Sequence, residues 1–212
     1  MDILDLGVGS RLVSFAEALA IQRSIHQEVV SGETPSTLIV VEHRGVYTAG
    51  RRTRVSERPS ADIEVVDVDR GGKITWHGPG QLVVYPIVRL NEPLDVVSYV
   101  RSLEQAVINY CDELDLPTQQ IEGRSGVWVP SNGSSPYPSK ICAIGVRVAQ
   151  SVTMHGLALN CSNSLEPYGL INACGLRDAS VTTISQELNF VLDPAGVRNN
   201  LLKHILATLD AA

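Results

Sequence analysis

Apolar positions recur along the chain at two periods, close to 3.6 and close to 2, and between them they place most of the regular elements. Ser14 followed by Glu17 forms a capping-box pattern ahead of a helix that runs to Gly32. Asp95 can cap a second helix, in which Val96, Val100, Leu103, Val107, Cys111 and Leu114 recur at helical spacing until Pro117 stops it. The last helix starts at Asp193-Pro194, with proline at its first position, and carries Val197, Leu201, Ile205 and Leu209 on its apolar face. Strands are predicted at residues 38–42, 63–68, 81–85, 127–129, 141–148 and 152–159. Residues 130–139, with three prolines, four serines and a glycine, read as a loop.

Strands thus come in runs, with helices near both ends and in the middle. This order predicts an α/β (α+β) domain built on a mixed β-sheet flanked by helices. No internal repeat or long linker divides the chain, so residues 1–212 read as a single domain. Hydrophobic residues make up 44% and charged residues 19%, enough apolar side chain for a sizeable core. The longest apolar runs, 38–41 and 82–84, fall far short of the roughly 18 residues that span a bilayer. The acidic start, Met1-Asp2-Ile3-Leu4-Asp5, lacks a basic lead and a signal-like apolar block. These features predict a cytoplasmic protein without a membrane partner, and the net charge of −6 argues against nucleic acid.

Four cysteines, Cys111, Cys142, Cys161 and Cys174, show no Cys-x-x-Cys pair and no zinc spacing, so free thiols and no metal are expected. Cys111 falls on the apolar stripe of its helix and reads as core. Cys174 is different: it sits between Gly169 and Gly175 with no helical or strand period through it, and loops carry function more often than core elements do.

Residues 70–86 read Arg-Gly-Gly-Lys-Ile-Thr-Trp-His-Gly-Pro-Gly-Gln-Leu-Val-Val-Tyr-Pro. Glycines let the backbone lie close against a ligand, and Pro79 stiffens the turn before the strand. The order Arg70-Gly71-Gly72, Thr75, an aromatic at Trp76, and His77-Gly78-Pro79-Gly80-Gln81 resembles the signature of the lipoyl(octanoyl) transferases of lipoate biosynthesis. Glu42 to Arg51 is similar to another segment of that family, and Ile171-Asn172-Ala173-Cys174-Gly175 to the segment around its nucleophile, with Ala173 at the place of the common proline. The resemblance runs from about Tyr47 to Leu176.

The resemblance implies a fold related to the catalytic domains of biotin and lipoate protein ligases. It implies transfer of an octanoyl group from octanoyl-[acyl carrier protein] to a lysine on lipoyl domains of dehydrogenase complexes or on a glycine cleavage H protein, with no cofactor. It makes Cys174 the nucleophile and Lys140 its partner. An ammonium near a thiol favours the thiolate that attacks, and a lysine can then shuttle protons. It places residues Arg70, Gly71, Gly72, Lys73, Ile74, Thr75, Trp76 and His77 around the acyl group, together with Ala143, Ile144, Gly145, Gly156, Leu157 and Ala158.

Read from the residues alone, several of these have plainer roles. A lysine that opens a strand usually points to water, and the small residues at 143–145 and 156–158 suit close strand packing. His77 is the histidine favoured as a catalytic residue, able to hydrogen-bond the thioester carbonyl, orient a lysine or simply brace the turn. Cys142 is the rival nucleophile, because a regular strand puts it on the face of Lys140; a mid-strand side chain gives bulky partners little access, which favours Cys174. His43, His155 and Asn160 are weaker candidates, His43 for shaping the substrate side. Arg44, Arg51, Arg52, Arg54 and Arg58 crowd fifteen residues that hold one acid, Glu57, which suits either a solvated loop or a dock for an acidic partner. An ATP-dependent lipoate or biotin-type ligase, a cysteine amidase or peptidase, and a non-enzymatic carrier-binding module are the competing readings.

Overall fold

The computed structural model describes residues 1–131, 136–171 and 179–210. In chain order the elements are β1 (Asp2–Asp5), α1 (Phe15–Ser31), β2 (Thr37–Val41), β3 (Val46–Ala49), β4 (Val65–Asp67), β5 (Ile74–His77) and β6 (Gln81–Ile87). There follow α2 (Val96–Asp112), β7 (Gln119–Ile121), β8 (Arg124–Val129), β9 (Ser139–Ala149), β10 (Val152–Asn160), β11 (Ser180–Val181), α3 (Ile184–Leu188) and α4 (Pro194–Asp210).

The three long helices begin as the caps dictate. The Ser14 hydroxyl accepts from Glu17 N, and Gly32 closes α1 in the left-handed conformation. Asp95 accepts from Ser98 N at 2.8 Å and opens α2. Such caps stabilise a helix by about 1 kcal/mol each. The main sheet runs β1-β2-β6-β10-β9-β8-β7, with β11 added beside β9. The β1 and β11 pairings are parallel and the others antiparallel, so the sheet is mixed.

Alternation along the central strands divides the core. Leu38, Val40, Leu82, Val84, Leu157 and Leu159 pack beneath α2 and α4, against Leu103, Val107, Val197, Leu201 and Ile205. Ile39, Val41, Val83, Tyr85, Met154 and Ala158 face the other way, toward Ala18 and Val29 of α1. Both faces are covered, which is why the central strands read as continuous apolar runs. A second sheet, β4-β3-β5, was not separable in the sequence. Its strands are short and sit among glycines and polar residues. It pairs Tyr47 with Trp76 and Thr48 with Thr75, joining the two segments that carry the family resemblance.

Candidate active site

A cavity of about 270 Å³ lies over the main sheet where β9, β10 and β6 adjoin. Its floor follows from register. Ala143 pairs with Ala158, Ile144 with Leu157, and Gly145 with Gly156. All six line the cavity. Four of them carry at most a methyl, so the sheet surface is depressed there. Phe15, Val83 and Tyr85 continue the apolar wall, and Arg70, Gly72, Lys73, Ile74, Thr75 and His77 form the cover. Gly71 and Trp76 do not line this cavity. Gly71 borders a neighbouring one, and Trp76 turns into the small sheet, packing with Tyr47 and Ile74 and meeting Tyr168 edge-on.

Arg70 fixes the glycine turn. Its guanidinium donates to the carbonyls of Gly71 (2.9 Å), Lys73 (2.8 Å) and Thr48 (2.8 Å), and to the Thr48 hydroxyl (2.9 Å). Burial lowers its pKa to about 10, which leaves it charged at neutral pH. Gly50 is the residue that admits this arrangement: a Cβ there would stand 2.6 Å from the Gly72 carbonyl and 2.7 Å from the Arg70 guanidinium. The ammonium of Lys73 is committed to Glu57, a buried carboxylate, and so does not point a free charge at the cavity. At the root of the turn, Asp69 is held by His155 (2.9 Å) and Arg147 (2.7 Å). His155 itself is buried with φ +58, an uncommon backbone state for a residue with a side chain.

Lys140 reaches the cavity through an irregularity in β9. Opposite Val127 stands Cys142, but opposite Trp128 stands Lys140, so Ile141 is an extra residue. Ile141 and Cys142, neighbours in sequence, both enter the core beneath α2 and α4. The extra residue turns Lys140 to the opposite face, with Ala143 and Gly145. The expectation that Cys142 shares the face of Lys140 is therefore corrected: the strand is not regular there. The Lys140 ammonium donates to Ser125 O at 3.1 Å and lies 4.5 Å from the centre of the Trp128 ring. Its stem passes Gly126 (φ +113), where a Cβ would come within 3.2 Å of the lysine Cε and 2.5 Å of the Cys142 carbonyl. No carboxylate pairs with this ammonium among the described residues.

His77 is buried at the cavity wall, and desolvation pushes its pKa down to about 3. Its Nδ1 lies 2.8 Å from Gln81 Oε1. The Gln81 amide nitrogen faces the Trp76 carbonyl, Asn160 Oδ1 and Tyr168 OH, which settles its orientation and makes Nδ1 the protonated nitrogen of His77. His77 is then a neutral ring whose single N–H is already used. It has none left for a thioester carbonyl and is too weakly basic to hold a proton at neutral pH. The network continues from Asn160 to Thr182 O (3.0 Å), and Thr182 N donates to Lys140 O (3.0 Å). Tyr168 and Thr182 in this chain of bonds carried no signal in the sequence, and Gln81 appeared there only as part of the glycine-rich motif. His43 is likewise buried and neutral, its pKa lowered to about 4, and it bonds the Tyr85 hydroxyl at 2.7 Å and Val13 O at 3.1 Å.

Cys111, Cys142 and Cys161 are buried. Burial drives the Cys111 thiol up to about 12 and raises those of Cys142 and Cys161, so none of them supplies a thiolate. Cys174 lies outside the described residues. Of the segments flanking it, Ile171 packs on the Trp76 cluster, while Val181 pairs with Lys140. Among the described residues no group of histidines, cysteines and carboxylates is arranged to hold a metal, and no helix is long and apolar enough to cross a membrane.

This architecture is that of the ligase-type catalytic domains. A lipoate-protein ligase A bound with ATP superposes with a TM-score of 0.74 at 17% identity, over 99% of this chain and 86% of that one. Biotin protein ligase from Aquifex aeolicus gives 0.58 at 13%, over 100% and 70%. At such identity the likeness is one of fold. The sequence goes further. The profile of the lipoyl protein ligase A/B catalytic domain matches residues 14–206, and the chain belongs to that family. An octanoyltransferase of Leifsonia xyli subsp. xyli is 57% identical over 89% of this chain and 84% of its own length. An octanoyltransferase of Clavibacter michiganensis subsp. michiganensis is 51% identical over 100% of this chain and 91% of its own.

Proposed function

We propose that this chain is an octanoyltransferase. It moves an octanoyl group from an acyl carrier protein to the ε-amino group of a lysine on a lipoyl domain, through an S-acyl cysteine. The observation that carries the reading is the Lys140 ammonium, turned by the β9 irregularity to the rim of an apolar slot floored by alanines and glycines. Kinship with the octanoyltransferases supplies the chemistry of the acyl group.

Cys174 is assigned the nucleophile from the family resemblance, and the burial of the other three thiols supports it. The Lys140 ammonium favours the Cys174 thiolate. The thiolate sulfur attacks the thioester carbonyl, the tetrahedral oxyanion collapses, and the C–S bond to the carrier thiol breaks. That thiol leaves with a proton from Lys140. The amine of the target lysine then attacks the S-octanoyl enzyme. Its surplus proton passes to Lys140, the second C–S bond breaks, and an amide and the Cys174 thiolate result. Neither step consumes ATP, and the kinetics are ping-pong. The exposed Arg44, Arg51, Arg52 and Arg54, beside Arg58 paired with Asp67, offer the acidic carrier or lipoyl domain a docking face.

Intact-protein mass spectrometry after mixing with octanoyl-carrier tests the reading. One octanoyl adduct, removed by hydroxylamine and missing in Cys174→Ser, is expected without ATP. An adduct that forms only with ATP, or that persists in Cys174→Ser, would give the chain to the ligase reading. Tight carrier binding with no adduct would make it a binding module.

A further inference from the structure

A second cavity, of about 300 Å³, adjoins the first. Ser125, Gly123, Gly72 and Gly145 border both. Gly123, exposed at the border of both, leaves space there, since a Cβ would meet nothing within 4 Å. The border is also chemically placed, because the carbonyl of Ser125 receives the Lys140 ammonium. On its outer side the second cavity is walled by Val96, Val97 and Val100, from the first turns of α2. Val97 is 71% exposed and Leu94, just ahead of the helix, 43%. An exposed apolar strip leading down to the Lys140 ammonium is not required by the fold: α2 already buries Leu103, Ala106 and Val107 on its core side.

We propose that this second cavity is the seat of the donor's thiol arm, a pantetheine-type chain of amides ending in methyl-bearing carbon. The inference rests on the acyl-transfer reading above. A thioester whose carbonyl lies at the Ser125 junction has two sides. The acyl chain fills the apolar first cavity, and the arm must leave by the other route. The second cavity suits such an arm: it opens to solvent, Ile144 and Val146 line it, and the exposed Val96 and Val97 border it where the methyl groups of such an arm arrive. Arg52 edges it, the sign of charge that suits an arm joined to its carrier through a phosphodiester, while Arg101 at the same edge is paired with Glu104.

The test compares two donors in formation of the S-octanoyl enzyme, S-octanoyl-pantetheine and S-octanoyl-N-acetylcysteamine, the second lacking the outer half of the arm. Wild type should favour the pantetheine donor in kcat/KM by about tenfold, the order expected for burying two methyl groups. In Val97→Asp, a change at an exposed position checked by thermal melting, that ratio should fall to about one. An unchanged ratio overturns the proposal. So does an altered acyl-length preference with the donor ratio unmoved, which would give the cavity to the acyl tail. A wild type that forms an adduct with both donors at one rate overturns the arm site alone. A wild type that forms none with either donor or with octanoyl-carrier overturns acyl transfer itself, and the arm site with it.

Discussion

The floor of the first cavity makes a sharp prediction about acyl length. Ala143 lies on the cavity face of β9, directly opposite Ala158 of β10. Ala143→Leu adds three carbons to a slot of about 270 Å³ that already has to hold the whole alkyl chain. Each added carbon displaces about one methylene of bound chain, and each methylene buried contributes about 0.8 kcal/mol, so the octanoyl chain loses about 2.4 kcal/mol. At about 1.4 kcal/mol per factor of ten, kcat/KM for octanoyl-carrier should fall roughly fifty-fold relative to butyryl-carrier. The butyryl chain ends before the blocked region and should lose much less. The assay is competition between butyryl-, hexanoyl- and octanoyl-carrier, read by mass spectrometry of the acyl-enzyme, with a thermal melt to show that the fold survives. If all three substrates slow by the same factor, the alanines and glycines of β9 and β10 are packing residues, and the acyl chain lies elsewhere.

Three further outcomes are expected. Lys140→Met should cut the rate of S-octanoyl enzyme formation by about 10²–10³, with the melting temperature within a few degrees of wild type, because the change removes an ammonium and keeps the apolar stem over Trp128; an undiminished burst of adduct would dismiss the lysine. Reversing Arg51 and Arg52 to glutamate should weaken use of the carrier and flatten its dependence on salt, since both are exposed; identical kinetics across a salt series would leave the cluster a solvated loop. His43 and His77 stay neutral in the fold, with pKa values lowered to about 4 and about 3 from about 6.5. The unfolded chain therefore binds protons that the native state does not between pH 6.5 and those values, and stability falls with pH across that window. The loss by pH 5 is about 2 kcal/mol per histidine, seen as a falling melting temperature that His43→Gln should blunt; a flat melting temperature from pH 7.5 to 5 would refute the assignment.

The three long helices were legible because each carries its own boundary: Ser14 and Gly32 around α1, Asp95 before α2, Pro194 opening α4; the five-residue α3 was too short to show a period. The central strands were legible because both of their faces are buried. Of the small sheet only β4 was, inside the predicted strand 63–68. Val46–Ala49 and Ile74–His77 are four residues each, and what pairs them is a long-range fit in which Gly50 lets the Arg70 turn close. In the site, the motif from Arg70 to His77 pointed to the right neighbourhood but not to the orientation of each side chain. Arg70, charged and near a substrate slot, spends its donors on carbonyls of its own turn and of Thr48. Trp76 looks inward to Tyr47. His77 gives its one N–H to Gln81, a contact whose meaning depends on Tyr168 and Asn160, far along the chain. Such networks have no local period and leave no trace in a single sequence.

Lys140 shows why pattern alone stops short of chemistry. Side chains on a regular strand alternate, so residues 140 and 142 must share a face. Here the strand owes its partner helices a buried Cys142 and owes the cavity a cation, demands that a regular strand cannot meet two residues apart. The extra residue at Ile141 meets both, and its cost, a broken ladder with β8, is absorbed on the other side, where Val181 pairs with Lys140 and Thr182 N takes its carbonyl. The regular part of the sheet thus builds the slot, and the irregular part delivers the amine to it. A one-residue irregularity is invisible to any reading of apolar periodicity, because its signature is two adjacent core residues, Ile141 and Cys142, which a sequence presents simply as a longer apolar run.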